Sequence, residues 1–294
     1  MATAAKPMPN ILNSVLDAFG PLVPSRWRSD IPVVPVVRLN GVIGAAVPLR
    51  QGLGLAGLAK TLEKAFGVRG ARAVALAINS PGGSPSQSHL IFQRIRQLSL
   101  EKNIPVIAFI EDIGASGGYM LACAADEIVA DVFSMVGSIG VLGGGFGFDK
   151  LIEKLGIERR LYTSGERKAM LDPFLPEKPE DVKRLKAIQK DIHERFIALV
   201  KERRGTRLNG ADKSLFSGEF WAAQNALELG LIDRIGDLRS TLRERYGDKV
   251  RTPVISIEKG FLARRLPGLD ALGPSARDFI SALDERAWWS RYGL

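Results

Sequence analysis

Residues 73–83 read Ala73-Val-Ala-Leu-Ala-Ile-Asn-Ser-Pro-Gly-Gly83, and the change of character inside this stretch decides the fold. Six consecutive apolar residues without alternation fit a parallel strand covered on both faces. The Asn79-Ser-Pro-Gly-Gly83 that follows cannot continue a strand, and helical spacing resumes over Ser88–Leu100. The pattern repeats downstream. Pro105–Ile110 is a second buried strand that ends at Glu111-Asp-Ile-Gly-Ala115, with a helix predicted over Ser116–Ala125. A third, Ile128-Val-Ala130, precedes the Gly-rich Gly137–Gly147. Upstream, Val33–Val37 and Val42–Val47 read as strands and Leu55–Phe66 as a helix. Such alternation predicts an α/β fold with a mainly parallel sheet flanked by helices.

The flanks are less regular. Ile11, Leu12, Val15, Leu16 and Phe19 share one helical face, which could lie on a bilayer surface or dock on the body of the protein. Glu177–Arg204 reads as a long charged amphipathic helix, Arg159–Thr163 as a strand, Leu227–Leu238 as a helix end, turn and strand, and Val254–Ile257 as a last strand. The expected organisation is an N-terminal segment over 1–32, a main domain over 33–245, and a strand and tail over 246–294 with an amphipathic helix carrying Trp288 and Trp289.

Composition narrows the chemistry. One cysteine, Cys123, and two histidines in 294 residues argue against a disulfide framework or a Cys/His metal centre, and no cofactor is expected. The net charge of +9 favours anionic neighbours such as membrane headgroups or nucleic acid and by itself chooses neither. The basic excess over 159–207 sits beside the long charged helix and reads as a solvated face, so a nucleic-acid site is not expected. No segment has the ~20 mostly apolar residues of a membrane span, and the first thirty residues do not read as a secretory signal. The expected location is cytoplasmic or peripheral at the inner membrane. Gly52-Leu-Gly-Leu-Ala-Gly57 matches a dinucleotide fingerprint, but the next strand closes on Asn79 where an acid is required.

Three small-residue turns remain, each behind a buried strand: Ser80-Pro-Gly-Gly83, Ala115-Ser-Gly-Gly-Tyr119 and Gly137-Ser-Ile-Gly140. In a parallel sheet such turns gather at the carboxyl edge, where ligands bind. Ser116 lies between strand and helix among residues too small to hinder approach, like a nucleophile elbow. A serine hydroxyl needs a base. His89 and His193 fall within predicted helices and read as packing or surface residues. Lys168 follows a predicted strand and precedes Ala169, Met170 and Leu171, which could desolvate it. Free lysine titrates near ~10.4 and a useful base near ~7–8, a difference of about 4 kcal/mol that desolvation can supply. Glu166 and Asp172 are expected to point away, because a paired carboxylate would keep the amine charged.

Five of these signatures in series, Asn79–Gly83, Ala115–Tyr119, Ala125-Asp-Glu-Ile-Val-Ala130, Gly137–Val141 and Gly165-Glu-Arg-Lys168, resemble the signal peptide peptidase SppA family, with Gly230–Gly236 similar to its closing segment. The resemblance covers about residues 33–245. It implies a ClpP/crotonase-like layered fold and a serine peptidase with a Ser–Lys dyad: Ser116 as nucleophile and Lys168 as general base. It also implies that Ser138 supports the lysine and that the Gly83 and Gly117 N–H groups form an oxyanion hole. Further implications are short apolar peptide substrates, such as released signal peptides, and a ring-like homo-oligomer. The sequence departs from the family at Met120, where an aromatic often stands, and at Ala169, where an acid often follows the lysine. The rival readings are a crotonase-like acyl-CoA enzyme, a ClpP-like Ser-His-Asp peptidase and a non-catalytic membrane-associated scaffold.

Overall fold

The computed structural model of the chain describes residues 31–44, 53–165, 167–256, 286 and 288–294. The N-terminal amphipathic stretch and most of the C-terminal tail lie outside the described residues.

The sheet has eight strands: β1 (Val36–Asn40), β2 (Val74–Ser80), β3 (Val106–Ala115), β4 (Glu127–Ala130), β5 (Met135–Gly137), β6 (Phe220–Ala222), β7 (Arg234–Ile235) and β8 (Val254–Ile255). Its main path runs β6-β5-β3-β2-β1-β8, with β4 on β3 and β7 on β4. Every pairing is parallel except β5–β6. The mainly parallel α/β sheet expected from the alternating pattern is therefore present.

The apolar runs are buried on both faces, and their alternate residues divide between two cores. Val74, Leu76 and Ile78 join the larger one, with Leu58, Leu62, Ile91 and Ile95 from the helices Leu55–Phe66 and Pro85–Lys102. Ala73, Ala75 and Ala77 face the smaller one, with Phe109, Val129 and Leu242. Small residues on this side of β2 leave room for the Phe109 ring.

Three strand predictions need correction. β3 does not stop at Ile110. Its register on β2 passes from Ile78↔Ile110 to Ser80↔Gly114, so Glu111 and Asp112 are absorbed in a bulge and the strand runs on to Ala115. The first half of β3 pairs with β4 and the second half with β5. Arg159–Thr163 is an exposed, non-strand segment that never reaches the sheet. In the Val42–Val47 run, Ile43 makes only isolated bridges, to Leu53 and Gly83, and residues 45–52 lie outside the description.

The long helix spans Pro179–Arg204 and is fastened at its C-terminal end. Arg204 is 3% exposed and makes a two-pronged pair with Asp233 at 2.8 and 2.9 Å, while its Nε donates to the Gly230 carbonyl. Burial alone would push the Asp233 carboxyl up. The bonds from Arg204 and the Ile128 N–H outweigh it and hold the carboxyl below the usual range. Arg204→Met, which leaves that carboxylate only the longer contact to the half-exposed Arg207 and the Ile128 N–H, is expected to cost roughly 3 kcal/mol of stability in denaturant titration. A carboxyl depressed on folding stabilises above its unfolded value and loses that contribution as pH falls through the folded one. Wild-type melting should therefore drop on acidification below about pH 4, and the drop should be shallower in Arg204→Met.

Among the described residues, no helix is long and apolar enough to cross a membrane. Cys123 is buried, and burial pushes its thiol up to about 12. It should resist alkylation in the native protein and react on unfolding, as mass spectrometry of iodoacetamide-treated samples would read.

Candidate active site

β2, β3 and β5 are neighbours and end at the same edge, so the three small-residue turns meet there. The pairing Ala115↔Gly137 sets Ser116 and Ser138, each the next residue along, side by side. The Ser116 N–H donates to the Gly137 carbonyl at 2.8 Å. From β2, the first turn reaches the same place: a Cβ on Gly82 would lie 2.8 Å from Ser116 Cβ and 2.9 Å from Gly117 N. Gly82 has φ +105°, so a side chain there meets both steric and conformational resistance. Gly82→Ala should push Ser116 out of line and lower turnover at least tenfold, with a modest fall in melting temperature.

Ser116 precedes the helix Gly117–Ala122 with φ 52° and ψ −120°. Ser138 also has φ 52°. Positive φ in a residue with a side chain costs about 1–3 kcal/mol and persists only where the surroundings enforce it. Among the described residues only Asn103, Ser116, Ser138 and Leu171 adopt it. Two of these four are the candidate serines, and a third lies in the loop of the candidate lysine.

The backbone donors can be placed as well. The Gly117 N–H heads its helix and has no acceptor within it. The ladder bonds beside Gly83 run from Ile43 N–H to the Gly82 carbonyl and from Ser84 N–H to the Ile43 carbonyl, which leaves the Gly83 N–H out of both. Gly83, Ser116 and Ser138 line one cleft of about 160 Å³.

The helix that starts at Gly117 is held from behind. The buried Tyr119 hydroxyl donates to the Leu231 carbonyl at 2.7 Å, and burial pushes the phenol well above its ordinary value, which keeps the proton on this donor. The Gly230–Gly236 segment is thus fixed to the serine helix by Tyr119 and to the long helix by Arg204. Met120 is buried in the larger core.

Lys168 departs from expectation. Its flanking apolar residues are at best half-buried, and the lysine itself is exposed. It does not line the cleft that holds Ser116; its backbone N–H donates to the Gly165 carbonyl at 3.1 Å, and its amine has no hydrogen-bond or ion-pair partner among the described residues. The physical reason is the missing strand at Arg159–Thr163. Without it, no strand pairing among the described residues ties the lysine loop to the sheet edge. Asp172 is occupied elsewhere, bonded to Arg159 at 2.8 Å and to the Phe174 N–H, and these bonds lower its carboxyl. The Glu166 side chain lies outside the description.

Neither histidine lines the cleft. His89 stacks on Phe92 at 6.2 Å. His193 approaches the Ile139 carbonyl at 3.1 Å, behind the third turn.

Sequence reasoning missed the opposite wall, which comes from the far end of the chain. Trp288 and Arg291 line the cleft, and the Tyr292 hydroxyl donates to Ser138 Oγ at 3.2 Å. The paired tryptophans and nearby tyrosine signalled an apolar segment in need of cover, but no local pattern gave its docking place.

The sequence profile of Peptidase family S49 matches residues 99–249. A candidate protease of Synechocystis sp. is 33% identical over 222 residues, covering 74% of this chain and 79% of that protein. A candidate signal peptide peptidase SppA of Enterococcus faecium is 31% identical over 197 residues, with 67% and 57% covered. A protein of Brucella abortus named as a Na(+)/H(+) antiporter NhaA is 50% identical over 284 residues, or 93% of this chain. The chain spans only 38% of that Brucella protein.

Proposed function

Because the chain belongs to peptidase family S49, we propose that it is a serine endopeptidase with Ser116 as nucleophile and Lys168 as general base. The observation that carries this reading is the strained Ser116, which shares a cleft with Ser138 and Gly83 at the carboxyl edge of three parallel strands. The antiporter name belongs to a protein of which this chain spans 38%.

In this reading Ser116 Oγ attacks the substrate carbonyl while the Lys168 amine takes its proton. Charge then develops on the carbonyl oxygen, and the Gly83 and Gly117 N–H groups receive it. Each such donor is worth ~3 kcal/mol in comparable hydrolases. The lysine next protonates the leaving amine, and the acyl bond on Ser116 is cleaved by water deprotonated by the same lysine. Ser138 positions the amine. The substrates are short apolar peptides in extended form, such as released signal peptides.

Lysine can serve as this base only when it is uncharged, and in water it is not. A second copy of the chain supplies the missing burial by pressing the lysine loop against a neighbour's cleft, within a ring-like homo-oligomer. The exposed apolar residues around that loop favour such assembly. Leu142, Phe146, Leu155 and Tyr162 are 69, 81, 63 and 91% exposed, a concentration that marks an interaction surface.

Fluorophosphonate labelling tests the nucleophile. A single adduct on Ser116, located by peptide mass mapping, is the expected result. No adduct on Ser116, with peptide hydrolysis intact, would overturn the assignment. A crotonase-like acyl-CoA reaction uses no acyl-serine and is separated by the same measurement. A His193→Ala variant should retain hydrolysis, since that ring faces the Ile139 carbonyl and not the cleft.

A further inference from the structure

The 288–294 segment contributes to the lining of the cleft. Trp288 and Arg291 form part of its wall beside Ser116. Tyr292 is 7% exposed, with its ring 4.9 Å from Phe220 and its body packed on Ile113 and Ala115, the last apolar residues of β3 before the serine. Trp289 covers the same small cluster, and Arg291 lies over the rings of Trp288 and Tyr292 at 5.6 and 5.7 Å. Ser138 is itself buried, and its hydroxyl is engaged by Tyr292 at 3.2 Å.

From these contacts we infer that residues 288–294 are an intramolecular cap that keeps the peptidase in a resting form. The inference rests on the function proposed above, in which Ser138 positions a lysine amine. Tyr292 takes one acceptor site of that hydroxyl while Trp288 and Arg291 take up part of the cleft, so an incoming amine competes with the segment for Ser138. The contacts that hold the cap include the Tyr292–Ser138 hydrogen bond and the aromatic cluster around Tyr292, which a competing segment can replace. The competitor is the lysine loop of a second copy, which carries its own exposed apolar surface. Uncapping and assembly are then a single event, and a ligand or neighbour that binds only the open form shifts the population toward it.

The test compares the full chain, Tyr292→Phe, Tyr292→Ala and a deletion of residues 286–294. Two quantities are read: the fluorophosphonate labelling rate at Ser116, and hydrogen exchange of the Ser116 and Ser138 amides, which donate to the Gly137 and Glu219 carbonyls. Labelling should accelerate at least fivefold in Tyr292→Ala and the deletion, and about twofold in Tyr292→Phe, which loses only the hydroxyl bond. Exchange at the two amides should rise in the same order. Equal or slower labelling in every variant, with native melting, would remove the cap. Absence of labelling in all four proteins would instead strike at Ser116 as nucleophile. The exchange data then decide the cap alone: unchanged protection in Tyr292→Ala rules it out, and lost protection upholds it. Tyr292→Phe keeps the ring, so it reports on the hydroxyl even if the deletion fails to fold.

Discussion

Ser116→Ala is expected to reduce hydrolysis of an apolar fluorogenic peptide roughly 10⁴-fold or more, with the fold kept. The size follows from losing the nucleophile outright, which leaves only binding and the backbone donors to act on water. The fold should survive because the hydroxyl makes no capping bond to its helix, and the bond that places the residue, from its N–H to the Gly137 carbonyl, belongs to the backbone. Alanine pays a similar conformational cost at this φ, so melting should shift by no more than a degree or two, as for changes within ±0.5 kcal/mol. A purified Ser116→Ala protein that still turns over substrate would end the proposal.

Lys168→Ala should produce a loss of similar order, near 10³-fold or more, since an unassisted serine is a weak nucleophile at neutral pH. Its exposed position in the single chain adds a sharper expectation. If each site takes its serine from one copy and its lysine from the next, mixing inactive Ser116→Ala with inactive Lys168→Ala should restore activity. Under random exchange in a cyclic assembly, about a quarter of the sites inherit both intact groups. No recovery after subunit exchange, demonstrated by mass-tagged copies, would place the lysine and serine in one chain or dismiss the dyad. Melting of Lys168→Ala should match wild type, because the amine has no partner among the described residues to lose.

The site was legible in the sequence where its geometry depends on local grammar. Three buried strands announce themselves as apolar runs, and parallel neighbours must end at a common edge. The turns behind them therefore had to converge, whatever the exact register. The positive φ of Ser116 and Ser138 was not legible, because it is imposed by the strands and glycines packed around them. The β3 extension was hidden for a related reason. Glu111 and Asp112 look like a turn, and only pairing with β5 beyond them recovers the strand. The motif singles out Lys168, but not its exposure in the single chain, because the apolar residues that flank it pack only halfway. Tyr292 lies 154 residues from its hydroxyl partner, a contact decided by tertiary docking alone.

The interruption in β3 has an even length, and its parity matters. Ile107 and Phe109 before it and Ile113 and Ala115 after it keep their odd numbering on one side of the pleat, so the strand turns a corner without exchanging inside for outside. Loss of a single residue there, Asp112 for example, would reverse that phase for everything downstream. Ala115 would rotate toward the helix layer, and Ser116, one position on, would leave from the wrong face. Homologous chains should therefore vary in length at this corner by two residues or by none.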